Sequence, residues 1–584
     1  MRRCTLISSS AAVVVAVAGT TAALSQIAVE RNLPPAPAAS AAGVAAPDVV
    51  AASEDATPIG PGLRAIVLLG IGDAVQDAAS VEGIVVRQVS QLDRARVRQA
   101  LKRFLGKPLS RKLIGEIEAE IARQSRIAGR PFVSLSTPEQ EITAGVIQIR
   151  VTEFHVGQAA ISGVAKPSKA EYLRRRVRVQ AGQAVDSTSL NEDLDWLNRN
   201  PFRQVGARFA PADETGATDL TVAVQEQRPF RLYGGWSNTG SRTTGYDRFY
   251  VGALAALPFL PDAYASYQLT GSSDFWKKGD NFLRSQPRYM AQGGRLYIPT
   301  LPRQDIEVTV SDALTNQVAN RDFTVRQRTT EATVAYRSAL SNLGLSAGAG
   351  DLLLGIEAKR QSRRVFFNGL TALQVSGDAW QGLIGWSRGS QGNGHLSSIA
   401  FNLHVSPGGI SDRSSGSRLE LLTGGRVSSD RYAYATLDLV GSVRLPHNFA
   451  VTSQFSGQYA GTALPLSAQL GLGGDGLIRG YTPDDGAFDL GFVWRNELRA
   501  PPIAVLNRAV RLSDQLAPFV FVDVGSGRDR VLKKTSTLVS AGVGADYRIG
   551  SHFSAGVNAA RAMRDGLSTQ AGNWRAQARV AFYF

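Results

Sequence analysis

The residue types that most often carry enzyme chemistry are present in this chain, but their spacing forms no recognisable catalytic or metal site. The single cysteine, Cys4, precedes an apolar run, so a chain cleaved after that run has no thiol chemistry. Residues 471–476, GLGGDG, lack the Lys-Ser/Thr that completes a phosphate-binding loop. The histidines match no metal-ligand spacing. They are His155, His395, His404, His447 and His552. We therefore predict no enzymatic activity, no cofactor and no metal.

Charged residues on two segments near the C-terminus indicate a different kind of site. In residues 519–525, FVFVDVG, the valines occupy every second position and form a face that suits lipid. Residues 492–499 alternate in the same way, with Phe492, Trp494 and Leu498 on the apolar face. The residues predicted to face inward are Phe519, Phe521, Asp523 and Gly525 in the first segment and Arg495, Glu497 and Arg499 in the second.

The element that must position these side chains is a long region of strands. Residues 573–584, NWRAQARVAFYF, place apolar residues at alternate positions up to Phe584, opposite Arg575 and Gln577. Such alternation turns apolar side chains toward lipid and polar ones toward a wet lumen. A soluble sandwich also alternates, but this region is long, uniform and ends on an aromatic residue. At roughly 20 residues per strand and loop it holds about sixteen strands, which predicts a transmembrane β-barrel over residues 228–584.

The N-terminus and the composition agree with a secreted barrel. Residues 1–25 combine Arg2 and Arg3 with an apolar run and small residues, and we interpret them as a signal peptide. Residues 26–62 are rich in Ala and Pro and are predicted to be a linker. A mean hydropathy of −0.08 excludes a helical membrane protein. The net charge is +15, but no nucleic-acid-binding motif accompanies it, so no nucleic-acid partner is predicted.

Between the linker and the barrel, the pattern predicts two successive α/β units, at residues 63–153 and 154–227. Each contains a leading strand, two helices and two closing strands, which makes the second unit an architectural duplicate of the first. Leu113, Ile117 and Ile121 recur every four residues and mark a helix of the first unit.

Two features of the second unit have a local interpretation. Ser187 and Ser189 are the candidate N-caps of its second helix. A basic run is either a solvated helix face or a docking patch for an acidic partner. It consists of Arg174, Arg175, Arg176 and Arg178.

Two motifs in this setting resemble those of a known superfamily. LIRGY, residues 477–481, is similar to the (V/I)RGY/F motif of the sixth extracellular loop in the barrel-assembly and two-partner-secretion superfamily. FVDVG, residues 521–525, resembles its FxDxG strand motif. FLGKPLS and the later GRPFVSLSTPEQEITAGVIQIRVTE resemble the first POTRA domain of the haemolysin secretion/activation family (ShlB/FhaC/HecB), the TpsB transporters. The resemblance covers residues 63–584. It implies an all-β transmembrane barrel in a Gram-negative outer membrane, preceded by two periplasmic α/β POTRA domains.

The resemblance also implies roles for single residues. The RGY loop folds back into the lumen, where Arg479 contacts Asp523 and Gly480 lets the turn pass close to the wall that Tyr481 packs against. The alternative is that Arg479 is an exposed loop charge and Tyr481 an ordinary interfacial aromatic. Phe584 is implied to be the C-terminal signal of the barrel. Many members carry an N-terminal amphipathic helix that plugs the barrel, but residues 32–62 show no amphipathic stripe.

The implied function is two-partner secretion. POTRA domains would bind an unfolded, β-rich exoprotein by adding its strands to sheet edges, and the barrel would move it to the cell surface. Other implied partners are outer-membrane lipid and the barrel-assembly machinery, which would insert this chain. The nearest alternative is a barrel-assembly or insertion factor, although such factors carry more POTRA domains. A porin for small solutes leaves the α/β units unexplained, and an outer-membrane hydrolase lacks a credible triad.

Overall fold

The computed structural model describes residues 53–77, 81–214, 216–276, 287–318, 322–392, 394–506 and 513–584. The chain divides into two compact units. Among the described residues, one contains those from 53 to Asn198 together with Arg203–Glu226, and the other contains Arg199–Phe202 and Gln227–Phe584. The predicted signal peptide and most of the predicted linker lie outside the described residues.

The first half of the N-terminal unit is an α/β layer. A four-stranded sheet has the order β3-β2-β6-β5. Leu113, Ile117 and Ile121 are buried in the core that α2 shares with this sheet. Its strands are β1 Pro58–Gly62, β2 Ala65–Leu69, β3 Gly83–Val86, β4 Pro108–Ser110, β5 Val133–Ser136 and β6 Val146–Glu153, and its helices are α1 Ala95–Lys102 and α2 Arg111–Ile127.

Strand β1 lies where the sequence predicts linker. It pairs antiparallel with β4, so Pro58 is opposite Ser110 and Gly62 is opposite Pro108. Prolines are compatible with such a short two-stranded ribbon because one side of each strand needs no amide donor. The strand therefore depends on a partner that is far away in sequence, and local composition gives no sign of it.

The second half of this unit repeats the layer in shorter form. Its sheet has the order β7-β9-β8. The elements are β7 His155–Ser162, α3 Pro167–Arg174, α4 Ser187–Leu197, β8 Arg203–Pro211 and β9 Ala217–Glu226.

The N-cap of α4 is Asp186, so the prediction of Ser187 or Ser189 was wrong. The Asp186 carboxylate accepts the amide N–H groups of Thr188 at 3.0 Å and of Ser189 at 3.3 Å. The Ser187 hydroxyl instead donates to the carbonyl of Gly129 at 3.2 Å. The helix begins one residue earlier than the serine pattern indicates, because a carboxylate satisfies two of the free amides of the first turn.

The arginine-rich run is engaged within the unit. The Arg175 guanidinium donates to Glu171 at 2.7 Å. Arg178 points inward, where its Nε lies 3.0 Å from Asp193 and its Nη2 lies 2.6 Å from Glu192. Because Asp193 is fully buried, Arg178 is a structural residue rather than part of a free docking patch.

The unit that contains Gln227–Phe584 is a closed antiparallel barrel of sixteen strands, which confirms the predicted fold class. Each strand pairs with the next in this set, and β27 pairs with β10 to close the cylinder. No helix in the described part of the chain is long and apolar enough to cross a membrane. The wall strands are β10 Phe230–Ser237, β11 Arg248–Ala256, β12 Tyr264–Gly271, β13 Tyr289–Pro299, β14 Gln304–Val318, β15 Phe323–Ala339, β16 Asp351–Phe367, β17 Leu370–Gly392, β18 His395–Ser406, β19 Tyr432–Arg444, β20 Ala450–Ala460, β23 Leu490–Arg499, β24 Asp514–Arg528, β25 Thr535–Ile549, β26 Phe553–Ala562 and β27 Trp574–Tyr583.

The remaining elements of this unit lie in connections between wall strands. They are α5 Ser273–Trp276, α6 Gly416–Thr423, β21 Leu470–Gly471 and β22 Ala487–Phe488. We call the end of the barrel where β10 begins and β27 ends the proximal end, and the opposite end the distal end. Three, nine and eleven wall strands precede the connections that carry α5, α6 and β21–β22, and an odd number of strands leaves the chain at the distal end, so all three connections lie there.

The cap of α4 generates a stability prediction. Asp186→Ala should remove the two capping hydrogen bonds and cost about 1 kcal/mol. That corresponds to about fivefold faster hydrogen exchange of the α4 amides, measured by mass spectrometry on the full-length protein in detergent. Ser187→Ala serves as the control and should leave these amides nearly unchanged. A larger effect in the serine variant would contradict the assignment of the cap.

Candidate functional site

The candidate site is the distal connection between β20 and β23, residues 461–489, which we call L6. L6 carries the short pairing of β21 with β22 and packs into the lumen. Its apolar residues share a buried cluster with three residues of the barrel wall. The members are Leu470, Leu472, Leu477, Ile478, Tyr481 and Phe488 from L6 and Val493, Leu538 and Ala562 from the wall.

The wall behind L6 carries charge because β23 and β24 alternate strictly. Asp523 is fully buried, whereas its neighbours Val520 and Val522 are 49% and 48% exposed on the outer surface. Arg495 lies directly opposite Asp523 in the pairing of the two strands, and Glu497 lies opposite Phe521. Two carboxylates and an arginine therefore share one patch of the inner wall.

The structure brings Arg479 of L6 onto this patch. Its Nε and Nη2 atoms each lie 2.8 Å from an oxygen of Asp523, and its backbone N–H donates to the same carboxylate at 3.2 Å. Its Nη1 atom donates to Glu497 at 2.5 Å. The guanidinium is 2% exposed and lies 3.6 Å from the centre of the Phe521 ring. Charge-assisted bidentate bonds and the ring face together replace the water that this cation loses on burial.

A chain of alternating charges extends from this contact around the wall. Glu497 accepts from Arg499, whose Nη1 atom lies 2.7 Å from Asp546. Arg579 donates to the other oxygen of Asp546 at 2.7 Å and lies 3.6 Å from Asp475. Because Asp475 belongs to L6, the chain of ion pairs begins and ends on the same loop.

Two glycines make the close approach of L6 possible. A Cβ atom on Gly525 would lie 2.4 Å from the Cδ1 atom of Ile478, so this wall position has no room for a side chain. Gly480 has φ +87°, and a Cβ atom there would lie 3.1 Å from that of Ala560. The positive φ favours glycine, and the missing side chain lets the turn lie against β26.

Tyr481 adds a polar anchor on the opposite side of the turn. The side chain is fully buried, and its hydroxyl lies 2.9 Å from the Val539 carbonyl and 2.8 Å from the Arg564 carbonyl. The hydroxyl also accepts the amide of Arg564 at 3.2 Å. Tyr481 therefore joins L6 to β25 and to the distal loop between β26 and β27.

A second set of contacts anchors L6 nearer the distal opening, and none of these contacts is predicted from the sequence. Asp485 is fully buried and accepts the amides of Ser568 and Thr569, both at 2.8 Å. The sequence Thr482-Pro-Asp-Asp forms a capping box around this carboxylate. The Thr-x-x-Asp spacing is the one local signal that would have drawn attention to it.

The other distal anchor is a node around Arg426. This side chain lies 2.6 Å from Asp489 of L6 and 2.5 Å from Asp529 of the loop after β24. Burial opposes ionisation of Asp529, but the Leu532 amide and the Arg426 guanidinium outweigh it, so the pKa of Asp529 is lowered. Three distal loops thus meet at one guanidinium.

Two other predicted positions lie away from this cluster. His404 of β18 faces the lumen and lies 3.2 Å from Glu357. Phe584 is 74% exposed at the seam that closes the barrel, where its backbone exchanges hydrogen bonds with Leu232. No His, Cys, Asp or Glu cluster suited to a metal occurs among the residues that the structure describes.

The close packing at Gly525 yields a test of how L6 is held. Gly525→Ala should push Ile478 away from the wall and weaken the Arg479–Asp523 contact. The readout is the labelling of Leu477→Cys by a membrane-impermeant maleimide, with Cys4 replaced by Ser. Leu477 is 2% exposed, so labelling should be slow in the parent and several-fold faster in the alanine variant.

Gly441→Ala on β19 is the matched control, because a Cβ atom at Gly441 meets no atom within 4 Å. It should label like the parent. Equal labelling of both alanine variants would show that the approach of Ile478 to Gly525 does not hold L6 in place.

Comparisons with known proteins show a similarity to one family. Residues 356–547 match the family model described as haemolysin secretion/activation protein ShlB/FhaC/HecB. The chain is 21% identical over 397 residues to the outer membrane transporter CdiB of Dickeya dadantii (strain 3937), covering 66% of this chain and 65% of that protein, just under two thirds of its length. It is 20% identical over 509 residues to the heme/hemopexin transporter protein HuxB of Haemophilus influenzae, covering 80% of each.

A solved structure shares the fold. CdiB from Escherichia coli superposes with a TM-score of 0.65 at 15% identity, over 92% of this chain and 94% of that one. The family model, the relatives and the closed barrel agree with one another. Over residues 356–547 the chain is similar to the ShlB/FhaC/HecB haemolysin secretion/activation family, and it shares the fold of CdiB from Escherichia coli.

Proposed function

We propose that this protein moves an unfolded exoprotein from the periplasm through its barrel to the cell surface. The observation that carries the proposal is the lumenal loop L6, which packs into the barrel and whose buried Arg479 binds the charged inner wall. A barrel that only let small solutes pass would not need a loop as large as L6 that fills part of the lumen and can be released from the wall. We assign the protein no chemical reaction.

The lumen beside L6 supports this proposal. A cavity of about 210 Å³ lies between L6, α6 and the inner faces of β13–β16. Its wall is mostly uncharged and polar, so it can exchange hydrogen bonds with an extended main chain without selecting a sequence. The wall residues include Ser241, Thr315, Gln317, Gln327, Thr329 and Gln361.

The proposed role of Arg479 is to lock L6 in the closed position. Removing Arg479 would leave the buried Asp523 carboxylate without its counter-ion in a site with little water, whereas Glu497 would keep Arg499. Stranding a buried charge in this way costs about 3–5 kcal/mol. Because Arg479 holds both carboxylates, L6 would leave the wall as a unit rather than residue by residue.

We propose that the two α/β layers bind the client on the periplasmic side. Each sheet has open edges: β3 and β5 in the first, β7 and β8 in the second. An extended, β-rich client can add a strand to such an edge through main-chain hydrogen bonds, which demand little of its sequence.

We further propose that Phe584 directs the chain into the membrane. Its exposed ring at the closing seam is accessible to the barrel-assembly machinery before β27 pairs with β10. Outer-membrane lipid would then surround the apolar outer face of the finished barrel.

Substitution of the lock is the direct test of the transport proposal. Arg479→Ala should abolish or sharply reduce client export, because the unpaired Asp523 carboxylate would disturb the wall and L6 could no longer move as a unit between two defined positions. The measurement is the amount of exoprotein in the culture medium, with heat-modifiable mobility on gels to establish that the barrel still folds. Charge reversal with Asp523→Arg should behave similarly.

Arg444→Ala, at an exposed arginine of the proximal end, is the matched control and should export normally. Unchanged export in Arg479→Ala would count against the lock. Deletion of the gene separates the alternatives, because loss of one exoprotein supports secretion. General loss of other outer-membrane barrels would support an assembly factor, and reduced solute uptake would support a porin.

Tethering L6 tests whether the loop must move. The hydroxyl oxygens of Thr482 in L6 and Ser568 in the distal loop between β26 and β27 are 3.1 Å apart, close enough for a disulfide between cysteines at these positions. With Cys4 replaced, Thr482→Cys/Ser568→Cys should stop export under oxidising conditions, and reductant should restore it. Each single cysteine variant should export in both conditions. Full export by the oxidised, crosslinked protein would contradict movement of this part of L6.

A further inference from the structure

Strands β14–β17 extend beyond their neighbours at the distal end. β17 contains 23 residues but pairs with β18 only from Gly382 onward. The residues of β17 before Gly382 continue to pair with β16, which pairs in turn with β15. These strands therefore extend the sheet past the distal ends of the neighbouring wall strands, and we call this part the sheet extension.

Arginines cover the outer face of this extension. The odd-numbered residues Gln327, Thr329, Gln361 and Arg363 line the lumenal cavity. Because successive side chains of a strand point to opposite faces, the even-numbered arginines between and beside them face away from the lumen. They are Arg326, Arg328, Arg360 and Arg364, and we call them the outer arginine patch.

The patch begins where the apolar band of the barrel ends. On the outer face of β17, Arg388 is exposed near the proximal end. Toward the distal end, the next exposed apolar side chains are Ile384, which is 54% exposed, and Trp380, which is 39% exposed. A tilted strand crosses a membrane in about 9–11 residues, so a span that starts near Arg388 ends near Asp378. Arg360 pairs with Asp378 across the strands, and Arg364 pairs with Gln374, four residues further out.

The pairing of charges within the patch is incomplete. Arg360 lies 2.8 Å from Asp378, and Arg328 lies 2.8 Å from Asp312. Arg326 and Arg364 lie directly opposite each other on β15 and β16, and neither forms an ion pair with a carboxylate of the described residues. Like charges in this position destabilise a sheet, and an anion between them would relieve the repulsion.

Neighbouring side chains orient the guanidinium groups of Arg326 and Arg364. The Asn316 side chain accepts from Nε of Arg326 at 2.9 Å. The guanidinium groups of Arg326 and Arg364 lie 5.2 and 6.0 Å from the centre of the Phe366 ring. One ring therefore lies beside both cations, on the same outer face.

We propose that the outer arginine patch binds the phosphate groups of outer-leaflet lipids, with Arg326 and Arg364 sharing one phosphate. The planar guanidinium matches phosphate oxygens through paired hydrogen bonds. A lipid fits better than a free anion, because its acyl chains would continue down the exposed side chains of Val334, Ile356 and Ile384. The patch would thereby fix the rotation and height of this side of the barrel in the outer leaflet.

The test measures lipid retention by the full-length protein in detergent. Purified protein is titrated with lipid A, which carries two phosphates, and bound lipid is counted by native mass spectrometry. Arg326→Gln/Arg364→Gln should bind at least tenfold less tightly than the parent, while Arg326→Lys/Arg364→Lys retains part of the affinity because it keeps the charge. Heat-modifiable mobility establishes that each variant contains a folded barrel.

The matched control is Arg388→Gln/Arg444→Gln, which removes two exposed arginines at the proximal end and should bind lipid A like the parent. Equal binding by the Arg326/Arg364 glutamine variant would overturn the proposal. An equal loss in the control would also overturn it, because binding would then follow net charge alone. Displacement of lipid A by inorganic phosphate at the same concentration would overturn the assignment to a lipid.

Discussion

Burial of the Arg479 guanidinium is the interaction on which the distal half of this barrel depends. A cation with 2% exposure inside a lumen loses nearly all of its hydration, and only a closely matched set of partners offsets that loss. Asp523 supplies two oxygens, Glu497 a third and Phe521 a ring face. These partners sit on adjacent wall strands, so the position of L6 is correct only when β23 and β24 are paired in their observed register.

The contact is also part of a larger electrostatic arrangement. Arg479 and Asp475 belong to the same loop, yet they terminate a chain of ion pairs that passes through Arg499, Asp546 and Arg579 on the wall. Hydrogen bonds in such a network polarise one another, so the members act together rather than as separate pairs. The distal anchors at Asp485 and Asp489 use neutral amides and one arginine, and they hold the outer part of L6 independently of this chain.

The two sides of the lumen consequently differ in character. The side formed by β23–β27 is covered by L6, while the part of β13–β16 nearest L6 lines a cavity with mostly hydroxyl and amide groups. Strands β14–β17 extend furthest at the distal end, and β15 and β16 carry the outer arginine patch. Helix α6 covers the edge of β17 that does not pair with β18, where Leu419 and Leu422 pack close to Gly377. An unpaired edge at this level would otherwise invite association with another strand.

The sequence by itself determined the sixteen-stranded barrel, because the two-residue repeat of a strand is a local property and a closed cylinder is the arrangement that satisfies every strand in lipid. It also marked the RGY and FxDxG segments. It did not reveal β1, the cap at Asp186, or the node at Arg426, whose partners Asp489 and Asp529 are 63 and 103 residues away. Nor did it reveal the contacts of Asp485 with residues 83 and 84 positions later. Only the tertiary structure decided these, because loop residues have no periodic pattern, and their hydrogen bonds depend on which loops the closed barrel brings to the same end.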